Sequence, residues 1–68
     1  MKLFYDRMAQ MFTLETEEEA KFLGPITQTM LTLQKEFELT ESQARDAVVR
    51  AVMNDGFGID IANVKATS

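Results

Sequence analysis

The stretch from residue 23 to residue 54, LGPITQTMLTLQKEFELTESQARDAVVRAVMN, decides how the chain is read. Leu23, Ile26, Met30, Leu33 and Phe37 recur in it at alternating steps of three and four, the spacing of one apolar helical face. Thr40-Glu41-Ser42-Gln43 then forms a capping box, in which a threonine hydroxyl and a glutamine side chain satisfy helix-start N–H groups reciprocally. Leu39 and Ala44 stand where a hydrophobic staple would lock that start. A helix is expected from Glu41 to about Asn54, burying Ala44, Ala47, Val48, Ala51 and Val52, with Gly56 as its left-handed cap. Bulky side chains facing alanine and valine let two helix axes approach closely, and a two-residue connector favours antiparallel neighbours. The expected fold is all-α: a small antiparallel helical hairpin or three-helix bundle over residues 1–68, one domain, with a possible short terminal strand.

Upstream, Gly24-Pro25 interrupts the seam, because Pro25 cannot donate to Lys21 and its ring crowds that carbonyl. The expectation is one bent helix, or a short helix followed by a longer one that starts at Pro25. Thr16 with Glu19 resembles a capping box, and Glu17, Glu18 and Glu19 suit the positive end of a helix dipole. Glu17 and Lys21 would then pair at i and i+4, and the helix would end near Glu38. In the first segment, Phe4, Met8, Met11 and Phe12 fit a short amphipathic helix over residues 2–12; the rival is a strand from Lys2 to Asp6. The tail from Phe57 to Val64 begins with strand alternation and needs a partner, either the first residues of the chain or another molecule. A final helical turn capped by Asp60, with Ile61 and Val64 on one side, is the other option.

Composition bounds the function. At 68 residues the chain holds one domain that buries roughly 60% of its unfolded surface, so external support by self-association is expected. With neither cysteine nor histidine, disulfides and thiolate or imidazole zinc sites are excluded, along with the commonest general base and the strongest side-chain nucleophile. No catalytic residue, cofactor or metal ligand is assigned. Asn54 to Asp60 faintly resembles a calcium loop, but the oxygen spacing is wrong and no glutamate closes it. No segment has the apolar length of a membrane span, and no signal-peptide core is visible, so a soluble cytoplasmic protein is expected.

Seven basic and eleven acidic residues give a net charge of −4, which disfavours nucleic acid and anionic membrane. Residues 26–54 have the outline of a helix-turn-helix, yet Glu41, Arg45, Asp46, Arg50 and Asp55 leave the second helix neutral to acidic. Glu41 with Arg45 and Asp46 with Arg50 read as i, i+4 pairs on a solvated face. An acidic nucleic-acid mimic would draw on Glu15, Glu17, Glu18, Glu19, Glu36, Glu38 and Glu41.

Large apolar residues exceed what a two-helix core can hold. Phe4, Met8, Met11, Phe12, Phe22, Leu31, Phe57, Ile59 and Ile61 are the candidate partner-binding residues, unless the termini fold back to cover them. The expected function is a non-catalytic protein–protein interaction module: a small regulator, inhibitor or accessory subunit that binds a larger protein and forms a homo-oligomer. The alternative is a nucleic-acid-linked regulator, either a weak helix-turn-helix binder or the acidic mimic.

Overall fold

The computed structural model describes residues 1–54 and 57–66, and it corrects the expected all-α class to a mixed α/β fold. In chain order the elements are β1 (Lys2–Asp6), β2 (Met11–Glu15), β3 (Ala20–Gly24), α1 (Ile26–Glu36), α2 (Glu41–Met53), β4 (Ile59–Asp60) and α3 (Ile61–Ala66). Among the described residues the strands form one antiparallel sheet in the order β3-β2-β1-β4. Helices α1 and α2 pack on each other, but the chain is not the expected helical hairpin: the sheet supplies the other side of the core.

The N-terminal helix gives way to the rival strand from Lys2 to Asp6, paired with β2 in the register Leu3↔Leu14 and Tyr5↔Phe12. Asp6 Oδ1 accepts the N–H of Met8 at 3.0 Å and of Ala9 at 3.3 Å, and Gln10 takes a left-handed φ of 55°. That carboxylate turn reverses the chain between the strands. Phe4, Met8, Met11 and Phe12 owe their helix-like spacing to the turn between two strands. Alternation then carries Leu3, Phe12 and Leu14 into the interior, and Tyr5 lies against Phe12 with ring centroids 4.8 Å apart.

Thr16 makes the local bonds of a cap without a helix behind it. Its Oγ1 accepts from the N–H groups of Glu18 and Glu19 and donates to the Glu19 carbonyl, while its own N–H returns to that carbonyl at 2.8 Å. The return bond closes a β-hairpin, since threonine serves turns and helix starts by the same contacts. Lys21 pairs with Glu36 across the fold at 2.7 Å, in place of the expected partner Glu17.

The Gly24-Pro25 break is a strand-to-helix corner. Gly24 sits at φ +96°, where a Cβ is strained, and Pro25 is the extended N-cap of α1, not its first helical residue. Thr29 is fully buried and donates its hydroxyl to the Gly24 carbonyl at 3.1 Å, tying the helix to the corner. The seam is redistributed accordingly: Leu23 is buried from β3, Leu33 from α1, Met30 and Phe37 pack partly, and Ile26 is half exposed. Helix α1 ends at Glu36 because Glu38 adopts φ 58° and the Leu39 N–H turns back to the Leu33 carbonyl.

Helix α2 follows its sequence closely. Thr40 Oγ1 accepts from Gln43 N at 3.1 Å and Gln43 Oε1 accepts from Thr40 N at 2.8 Å, completing the capping box. Ala44, Ala47, Val48 and Ala51 are buried, whereas Val52, expected inside, is 41% exposed. The pairs Glu41–Arg45 and Asp46–Arg50 form on the outer side at 3.2 and 3.0 Å. The expected cap at Gly56 lies outside the described residues. Small side chains let α2 rest on both β1 and α1.

Both options for the tail are realised in succession. Ile59 and Asp60 pair with Leu3 and Lys2, and then Asp60 Oδ1 accepts the Ala62 N–H at 2.9 Å as α3 begins. Ile61 donates its N–H to the Met1 carbonyl, and Ile61 and Val64 enter the core. The chain ends thus close the sheet on the β4 side.

Candidate interaction surface

Strand register sorts the proposed contact residues. The face of the sheet that carries Leu3, Phe12 and Leu14 is covered by α1 and α2, so alternation turns Phe4, Met11, Thr13 and Phe22 to the opposite face. Three of the nine, Phe12, Ile59 and Ile61, are buried in the core rather than on the surface. The termini do fold back over part of the apolar excess.

The remaining six divide by position. Phe4, Thr13 and Phe22 are consecutive partners across β1, β2 and β3, and Phe4 reaches over Gly58 on the other side. A Cβ at Gly58 would stand 2.7 Å from the Phe4 ring, so the absence of a side chain there is what lets the ring approach so closely. Phe22 is 67% exposed at the far end of this row, and Met11 is half-buried beside it on β2. Met8, at the tip of the β1–β2 hairpin, is 95% exposed, and Phe57 is 78% exposed just ahead of Gly58. Leu31 is set apart on the solvent side of α1.

Charged residues border the row. Lys2 lies between Glu15 and Asp60 in the register, and Asp6 lies opposite Met11, so this face carries three carboxylates and one ammonium. An apolar centre with a net acidic rim results. Thr13 was not singled out in the sequence, although alternation in KLFYD and MFTLE was its available signal.

Elsewhere the surface offers little chemistry. A depression of about 490 Å³ lies between the end of α2 and the β4–α3 junction and is lined by Arg50, Asn54, Asp60 and Asn63 among others. Arg50 is paired with Asp46, and Asp60 caps α3. No group of three acidic side chains that could hold a metal occurs among the described residues, and no helix there is long and apolar enough to cross a membrane. The acidic residues of the mimic reading are spread over the β2–β3 turn, the end of α1 and the start of α2, with Glu36 and Glu41 engaged in ion pairs. No protein-family model, curated protein or solved structure matches this chain.

Proposed function

We propose that this chain is a non-catalytic protein-interaction module, a small regulator, inhibitor or accessory subunit that engages a protein through the helix-free face of its sheet. The observation that carries this reading is the row Phe22–Thr13–Phe4 on the face turned away from Leu3, Phe12 and Leu14, with Phe22 exposed and Phe4 and Thr13 half-buried. Exposed aromatics gathered on one rigid face are the usual anchors of a protein interface, and they are worth most at its centre. The carboxylates at the border, on a chain of net charge −4, select a partner surface that is apolar in the middle and basic at its edge. The same charge opposes the phosphate backbone, so nucleic acid remains the weaker alternative. The cytoplasm suits a chain free of cysteine, and the proposal places its action there.

Capture of binding proteins from the native host, with wild type and surface variants compared by mass spectrometry, tests the proposal. Phe22→Ser and Met11→Ser should each release a captured protein that Leu31→Ser, on the helical side, retains. Equal capture by all three variants, or recovery of nucleic acid that depends on Arg45 and Arg50, would overturn it.

A further inference from the structure

We infer that two copies of this chain pair edge to edge through β3, extending the four-stranded sheet to eight strands across a two-fold axis at Phe22. The inference deepens the interaction-module reading and rests on it for one partner, a second copy of the chain. The two margins of the sheet are unequal. On one side β4 is two residues long, pairs with Lys2 and Leu3, and passes at once into α3. On the other, β3 is five residues long, contains no proline, and has no strand beyond it among the described residues.

Backbone alternation specifies what the β3 margin presents. The bond from Thr16 N to the Glu19 carbonyl makes that pair a bonded one, so Ala20↔Glu15 and Phe22↔Thr13 fall at the non-bonded positions of the ladder. The N–H and C=O of Ala20 and Phe22 therefore point away from β2. An antiparallel copy placed with Phe22 opposite Phe22 lets the two residues exchange both bonds, the self-complementary contact a two-fold axis requires. The register has few competitors. Moving it by two residues sets Lys21 against Lys21, and by four sets Phe22 against Glu18. Opposite Leu23 of the second copy, Lys21 keeps its ion pair with Glu36 on the helical side.

Charge complementarity favours the same arrangement. Helix α1 starts at Pro25 without a side-chain cap and without an acidic residue in its first turn, so its N–H groups lack a local anion. Pairing with Phe22 on the axis sets Glu19 opposite Pro25 of the second copy, bringing the acidic turn of each chain to the helix start of the other. The two aromatic rows also merge, into one that runs Phe4, Thr13, Phe22, Phe22, Thr13, Phe4.

Sedimentation over a concentration series up to about 1 mM, combined with two variants, decides the matter. Wild type should pass from one chain mass to two. Ala20→Pro removes an outward N–H and leaves Phe4, Met11, Thr13 and Phe22 of the exposed face in place; it should stay monomeric with an unchanged circular dichroism spectrum, while capturing any heterologous partner as before. Phe22→Cys should form an intermolecular disulfide on oxidation, since opposed bonded residues stand about 5.5 Å apart at Cα, and Ala20→Cys should not. A wild-type monomer throughout, a dimer indifferent to Ala20→Pro, or cross-linking of Ala20→Cys in preference to Phe22→Cys would each overturn the pairing. Loss of partner capture with the dimer intact would instead overturn the interaction-module reading.

Discussion

Two residues at the start of α1 do more for the fold than their composition suggests. Gly24 holds φ +96°, and nothing crowds the space a Cβ would occupy, with Gln28 the nearest at 3.6 Å. The penalty for Gly24→Ala is therefore conformational, about 1–2 kcal/mol, to be read as a lowered urea midpoint with an unchanged m-value. Thr29 was hidden from the seam because its class is polar, yet it is the one fully buried residue of α1 besides Leu33. Thr29→Val keeps the shape and leaves the Gly24 carbonyl without that bond, a loss of about 1 kcal/mol in the same assay. On the outer face, Gly58→Ala should swing the Phe4 ring away, displacing its aromatic proton resonances and weakening partner capture.

At the scale of elements, α2 and the N-terminal hairpin mark opposite limits of legibility. Helix α2 carries all its information locally, with a complete capping box, i, i+4 ion pairs and a stripe of small residues. Thr40→Ala should cost about 1 kcal/mol, measurable by thermal unfolding. The hairpin from Lys2 to Glu15 carries a pattern that two periods explain, and the choice between them falls to long-range contact. Leu3, Phe12 and Leu14 face one way only in strands, and that way is toward Val48, Ala47 and Leu33. Thr16 shows the same ambiguity in miniature, as its hydroxyl bonds the same N–H groups in a hairpin turn that it would cap in a helix.

For the whole molecule, the helical seam proved to be a composite. Leu33 anchors it and Leu23 joins from the sheet, so Leu33→Ala should cost about 2–5 kcal/mol and leave so small a domain unfolded by circular dichroism at room temperature. Phe22→Ser should behave oppositely, leaving the melting temperature nearly unchanged while altering association, because its ring lies outside the core. Of the proposed contact residues, exposure separated Met8, Phe22, Phe57 and Leu31 from the buried Phe12, Ile59 and Ile61. Hydrophobicity alone cannot make that separation, since it reports that a side chain avoids water without saying which element covers it.

By itself the sequence determined the helix from Glu41, its cap and most of its inner stripe, and the break at Gly24-Pro25, because these depend on atoms a few residues apart. It also determined that histidine and thiol chemistry are absent. Only the tertiary structure decided that the chain is a sheet with helices on one side, which face of that sheet is left bare, and that the two ends of the chain meet at Met1 and Ile61. Those outcomes turn on pairing between distant strands, where each residue can satisfy its backbone in more than one way until a buried neighbour selects the register.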